Sequence, residues 1–375
     1  MTFAQLASFL WRGILGQGAF FHGLKADFAL CRRKKNGLKA AFARRPRGAR
    51  GAIGNVRRVE RSPATPKGNI MPKAIEGDTV DIRDFTVTDV KNLKLERFPT
   101  SLKLDAKLRP EYEQKLADNK ARIEELQDRL YAEARESVIV ILQAMDAAGK
   151  DSTIRHVLGG VNPTGIDVRS FKQPTSVDRA HGFLWRSFGA LPERGKIAVF
   201  NRSYYEECLV VRVHGLWRDY QLPRRCTDMG EKRYFEERFE DIRGFERYLW
   251  RTGNRIVKIF LNVSADKQRE RFLERIDDEA KNWKFSESDL SERMEWDEYQ
   301  RAYEEMIAGT ATERAPWHVI PADQKWVARV LVSEVLLDVL EKIDPHYPEL
   351  PHEARERLAT CREALTDGPA AEVDD

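Results

Sequence analysis

The chain has 375 residues, 42% of them hydrophobic and 33% charged, enough apolar material for one large α/β domain of about 250–300 residues with something left over. Its net charge of +4 is unevenly spread: residues 1–70 carry +13 and the rest carries −9, so the basic balance belongs to the leader and says nothing about the body. Cys31, Cys208, Cys226 and Cys361 show neither C-x-x-C nor C…H spacing, which argues against a zinc site or disulfide framework and suits a reducing cytoplasm, and no apolar run reaches the ~18–20 residues that span a bilayer.

In chain order, residues 4–21 are moderately apolar, but Arg12 and several glycines interrupt them. No basic residue precedes Arg12, as a secretory signal would require. Residues 32–61 are Arg-rich, acid-poor and broken by Gly and Pro, too polar to bury a core. An organellar transit peptide shares this composition; the plainer expectation is a disordered tail, or an over-extended start, with the domain beginning near Met71. Residues 71–108 are expected to pack on the core as an extension. From 109 to 136, Tyr112, Leu116, Ile123, Leu126, Leu130 and Tyr131 recur at three- and four-residue steps and predict a helix. Residues 137–144 (SVIVILQA) read as a strand buried on both faces. After a tight turn, 151–158 reads as a helix. Further strands are expected at 167–171, 197–201, 255–263 and 317–320, and helices at 177–190, 232–252, 264–275, 294–307 and 326–343. This alternation predicts a doubly wound parallel sheet from 109 to 345, whose ligands sit at the strands' carboxyl ends. Residues 346–375 read as a polar tail, helical at first.

Three motifs fall at those ends. Residues 144–150 (AMDAAGK) join the first strand to a helix, the setting of a phosphate loop: backbone N–H groups of Ala147, Ala148, Gly149, Lys150, Asp151 and Ser152 wrap the anion and Lys150 reaches its oxygens. Ala144 and Asp151 depart from the strict G-x-x-x-x-G-K-[ST] pattern. Asp146 would repel phosphate unless a cation lay between, so it is a metal ligand or a general base. Residues 196–207 (KIAVFNRSYYEE) have the shape of a Walker B strand, but it ends in Asn201; Glu206 and Glu207 lie one turn on and can supply the missing charge, while Arg202 can clamp a phosphate. Residues 269–293 are rich in Arg, Lys and Glu, with Trp283 and Phe285 among them, as in a mobile lid over phosphates or a solvated helix face. Lys172 closes the second strand. His156, His181 and His214 are given no chemical role.

The blocks LQAMDAAGKDSTIRHV, GVNPTGIDVRSFKQP, FNRSYYEECLVVRVHG, NWKFSESDLSERMEWDEYQRAYEEM and APWHVIPADQKW resemble, in order, the signature blocks of the polyphosphate kinase 2 family. The wording of the third and fourth is similar to the family's class III, whose members use both AMP and ADP. The resemblance implies a thymidylate-kinase-like P-loop fold, a helical lid at about 265–310, and a magnesium-bridged (or manganese-bridged) in-line displacement between inorganic polyphosphate and AMP, ADP or GDP. It implies a single core domain; a homo-oligomer in the cytoplasm is the accompanying expectation. On this reading Asp146 and Glu207 hold the metal, Glu207 standing where similar sequences mostly have Asp. Lys150, Arg202, Arg212, Lys172, Lys281, Lys284 and Arg293 line the polyanion track. The rival readings are an ATP-dependent P-loop kinase of a small metabolite and a nucleic-acid binder acting through the leader. The second would leave the body's motifs without a purpose.

Overall fold

The near-continuous apolar run at 137–143 has no polar face to show to water, so it must lie at the centre of a sheet. In the computed structural model, which describes residues 80–366, all seven residues of this strand are buried. The leader at 1–70 and the last part of the tail lie outside the described residues.

The elements in chain order are β1 (Thr86–Val87), α1 (Arg109–Glu133), β2 (Ser137–Gln143), α2 (Lys150–Leu158), β3 (Ile166–Ser170), β4 (Ile197–Asn201), α3 (Glu231–Arg251), β5 (Asn254–Asn262), α4 (Ala265–Asp277), α5 (Glu287–Met294), α6 (Trp296–Thr310), β6 (Trp317–Pro321), α7 (Lys325–Ile343) and α8 (His352–Thr366). The sheet order is β1-β6-β5-β2-β4-β3. All pairings are parallel except that of β1 with β6. The chain leaves β2 toward β3 and β4 and later crosses to β5 and β6, so the carboxyl end of β2 is a topological switch point, where such sheets bind ligands.

Helices cover both faces. Apolar steps on α1 bring Tyr112, Ile123, Leu126 and Leu130 against α7, and the buried Asn119 amide donates to Ser333 Oγ at 2.9 Å. On the other face α3 packs on β5 and on α6. Phe85, Val87, Leu93, Leu95, Phe98 and Leu102, all preceding α1, are buried in the same core, and Asn262 Nδ2 donates to Phe98 O at 3.1 Å.

The helix expected at 177–190 is instead two single turns, Ser176–Arg179 and Trp185–Phe188. A capping box of Thr175 and Asp178 starts the first turn, but the chain then breaks around Gly182. Val177, Trp185 and Phe188 stay about half exposed, so little burial rewards a continuous helix.

Candidate active site

The loop after β2 turns sharply because two of its residues adopt left-handed backbone, Ala147 at φ 60° and Gly149 at φ 109°. Glycine does so freely; alanine there is strained, as residues at functional turns often are. No side chain caps the first turn of α2, so its N–H groups remain open to an anion. Lys150 folds back over the loop, donating to Ala144 O at 2.9 Å and Met145 O at 3.3 Å, with Nζ 3.9 Å from Asp146 Oδ1. Burial pulls the Lys150 ammonium below its ordinary range, and the Asp146 carboxylate opposes that.

Across the switch point, Arg202 also has left-handed backbone, φ 61°, directly after β4. Its guanidinium donates to Asp146 Oδ1 at 2.6 Å and to Glu206 Oε2 at 3.3 Å. Burial works against the charge of Asp146, but Lys150 and Arg202 outweigh it and hold the carboxyl below its usual value. Glu206 is different: burial dominates and pushes its carboxyl up, with Arg202 and Lys150 offsetting only part. Asn201 Nδ2 donates to Asp151 Oδ1 at 2.6 Å, so the amide at the end of β4 neutralises no cation but holds the aspartate in the first turn of α2.

Glu206 and Glu207 diverge because Tyr204–Cys208 is a 3₁₀ helix, in which successive side chains are about 120° apart. Glu207 is buried and accepts from Tyr220 Oη at 2.9 Å and Tyr234 Oη at 3.2 Å. Burial raises its carboxyl pKa, and the tyrosine donors only moderate this. Both glutamates line one cavity of about 930 Å³. Asp146, Arg202 and Glu206 stand at its phosphate-loop end; Glu207, Tyr220, Tyr234, Arg186 and Arg238 surround another part. The α5 face turned to the cavity is acidic, with Asp289 and Glu292. Burial, then Asp146, raises the Asp289 carboxyl, while Arg275, 3.6 Å away, draws it down.

The Polyphosphate kinase 2 (PPK2) family model matches residues 107–348. The chain belongs to the polyphosphate kinase 2 family. Among relatives, the ADP-polyphosphate phosphotransferase of Rhodopseudomonas palustris is 44% identical over 76% of this chain and 99% of that protein. The AMP/ADP-polyphosphate phosphotransferase of Meiothermus ruber is 46% identical over 63% of this chain and 84% of that protein. The crystal structure of polyphosphate kinase 2 from Arthrobacter aurescens TC1 superposes with a TM-score of 0.62 at 35% identity, covering 74% of this chain and all of that one. The fold is therefore the P-loop kinase fold of the PPK2 enzymes, and the chain is an enzyme of the polyphosphate phosphotransferase kind.

Within this PPK2 fold, several site residues expected from the sequence fall elsewhere. Glu207 does not join Asp146; Glu206 does, by way of Arg202. Arg212 is held between Glu305 at 2.6 Å and Glu231 at 3.8 Å, over the Phe235 ring, and does not line the cavity. Of the expected lid cations, Lys281 pairs with Asp278, Lys284 lies over Trp283, and Arg293 donates to Ala265 O and Gln268 Oε1, both at 2.8 Å; none lines the cavity. The Ser152 hydroxyl accepts from Arg329 of α7. Lys172 does stand at the cavity, where its carbonyl accepts from Arg186 at 2.7 Å. Sequence reasoning missed Arg186 and Arg238 because nothing in their spacing separates them from other charges, and it took Arg275 and Asp289 only as members of the charged segment at 269–293.

Proposed function

We propose that this enzyme transfers a terminal phosphoryl group between inorganic polyphosphate and AMP or ADP, with GDP as a further acceptor. Polyphosphate lies on the loop 144–150 and the nucleotide in the adjoining cavity. The observation that carries the reading is continuity: Ala144, Met145, Asp146 and Arg202 belong to the phosphate-loop site and also line the cavity. Two relatives are named for ADP and for AMP and ADP, and a third, from Corynebacterium glutamicum, as a putative GDP-polyphosphate phosphotransferase.

In the transfer, a nucleotide phosphate oxygen attacks the terminal phosphorus in line, and the bond from that phosphorus to the bridging oxygen of the shortened chain breaks. The transition state is loose, so positioning and charge neutralisation carry most of the catalysis. Lys150 and Arg202 supply the cations, and the open N–H groups of α2 bind the donor's end. The attacking phosphate is already ionised at neutral pH, so no general base is needed.

Asp146 fits a divalent cation. It is ionised, its side chain is partly exposed at the cavity, and its Oδ2 accepts no hydrogen bond among the described residues. Magnesium takes one or two carboxylates and fills its octahedron with phosphate oxygens and water, and manganese suits the same oxygen donors. Bound there, the ion would neutralise charge on the transferred group. Glu207, tied to two tyrosines, does not fit that role.

Among the described residues no helix is long and apolar enough to cross a membrane. The same reading makes the enzyme a cytoplasmic homo-oligomer, in keeping with free thiols at Cys208, Cys226 and Cys361. The test is ATP or GTP formation from polyphosphate with AMP, ADP or GDP, run beside ATP consumption with small metabolite acceptors. Product only in the second arm would overturn the reading in favour of an ATP-dependent metabolite kinase.

A further inference from the structure

A buried cation lies under the phosphate loop and takes no part in the chemistry above. Arg271, on α4, is 4% exposed, and its hydrogen bonds all end on backbone carbonyls. Nη1 donates to Ala147 O at 3.1 Å and Ala148 O at 2.8 Å; Nη2 donates to Ala322 O at 2.7 Å and Asp323 O at 3.1 Å. It forms no ion pair with a carboxylate among the described residues. Asp323, Glu274 and Glu270 offset only part of the cost of burying this guanidinium, so the carbonyl dipoles must be held in place around it.

One turn earlier on the same helix face, the buried Gln268 donates Nε2 to Asp146 O at 3.0 Å. Two side chains of α4 therefore hold three successive carbonyls of the loop, those of Asp146, Ala147 and Ala148. A trans peptide carries its N–H opposite its C=O. With the Ala147 and Ala148 carbonyls turned to Arg271, the N–H groups of Ala148 and Gly149 point away from it. The first donates to Met145 O at 3.3 Å, within the turn. The second begins the row of open N–H groups that continues into the uncapped first turn of α2.

We propose that Arg271 is a positioning residue for the donor-phosphate site, holding the loop's peptides with their N–H face open to the anion and tying the loop to the end of β6. The proposal rests on the functional reading above, in that the anion is the terminal part of polyphosphate. It requires the planar fork of arginine, since one ammonium cannot reach carbonyls on two separate loops in that geometry.

The test uses the full-length enzyme with Arg271→Lys, which keeps the charge but loses the fork, and Arg271→Met, which loses both. Tripolyphosphate binding is measured by calorimetry at fixed salt, and KM is measured separately for polyphosphate and ADP. Both variants are expected to weaken tripolyphosphate binding and raise the polyphosphate KM by roughly tenfold or more, with the ADP KM within about twofold of wild type. Rescue by lysine would mean that charge alone matters, and would overturn the proposal. So would wild-type binding in either variant, or a parallel rise in both KM values. If Arg271→Met does not fold, Gln268→Ala takes its place, with a smaller loss of the same polyphosphate-selective kind expected; unchanged tripolyphosphate binding there overturns the proposal too. A wild-type enzyme that fails to bind tripolyphosphate would sink the functional reading itself, whereas normal wild-type binding with unaffected variants sinks only the role of Arg271.

Discussion

Lys150, partly buried at the start of α2, and Lys258, buried on β5, flank the same part of the sheet, and burial pulls both ammonium groups below their ordinary range. Their surroundings differ. Lys258, on β5, is wholly enclosed and donates to Glu246 Oε2 at 2.8 Å, Thr310 O at 2.8 Å and Tyr205 Oη at 3.2 Å. Glu246 Oε1 in turn accepts from Tyr204 and Tyr205. That network is closed, with three donors on the ammonium and three acceptors. Lys150 has two loop carbonyls and a carboxylate oxygen 3.9 Å away, an arrangement that a phosphate can improve on. A saturated buried charge holds structure; a partly satisfied one beside the open N–H groups of α2 is available to a ligand.

The largest expected effects break that pair apart. Lys150→Ala should cost roughly 3–5 kcal/mol of transition-state stabilisation, about 10²–10⁴ in rate, with the melting temperature held or raised. Lys258→Met leaves Glu246 buried without its cation and should cost about 3–5 kcal/mol of stability, while the folded fraction keeps its turnover. Denaturant titration and kcat on the same samples check both. A folded Lys150→Ala enzyme that keeps more than roughly a tenth of wild-type turnover, a smaller loss than that range allows, would remove Lys150 from the chemistry.

The adjacent glutamates sharpen the contrast at smaller scale. Glu206→Gln should lower kcat by about tenfold, since it weakens the charge that steadies Arg202. Glu207→Gln should leave the magnesium dependence unchanged and reveal itself in stability against pH. The Glu207 pKa is raised above its ordinary 4.5, so its contribution is full below that value and is lost as pH rises through the raised one. The variant should therefore gain in melting temperature relative to wild type as pH rises from acid to neutral. Asp146 has the opposite sign: its pKa lies below the ordinary 3.8, so its contribution is present above that and lost as pH falls through the lowered value. A Glu207→Gln melting temperature that falls relative to wild type as pH rises toward neutral would contradict this assignment.

Asn201→Asp sets a second carboxylate against Asp151, where the amide now donates at 2.6 Å. Without a divalent ion it should destabilise the loop, and the loss should be recovered by added magnesium, read as a metal-dependent melting shift. No such shift would mean that the pair does not face the ion. The smallest effect is expected of Arg212→Ala. Its partners, Glu305 and Glu231, are both exposed, so it should cost about 0–1 kcal/mol of stability and leave the salt dependence of the polyphosphate KM alone. A flatter salt dependence would return Arg212 to the polyanion track.

Much of the fold was legible because it follows from local rules. β2 announces itself as an unbroken β-branched run, and the Gly149–Lys150 turn between strand and helix announces a phosphate loop. β1 was not legible, since two residues of strand carry no periodicity and are held only by pairing with β6. Lys258 was hidden inside a strand that otherwise reads as apolar, because its partner Glu246 belongs to α3 and no pattern in β5 points to it. The break in the helix expected at 177–190 depended on how little of that segment is buried.

The sequence by itself determined the family, the alternating architecture and the loop that holds Asp146 and Lys150, because strand and helix periodicity and motif spacing are properties of neighbours along the chain. Only the tertiary structure decided which charges meet. Arg202 reaches Asp146 across 56 residues, Arg271 reaches the loop across more than 120, and the 3₁₀ turn sends Glu206 and Glu207 to different partners. The energy of a charge depends on what surrounds it within a few ångströms, and for these residues the surroundings come from other elements of the fold.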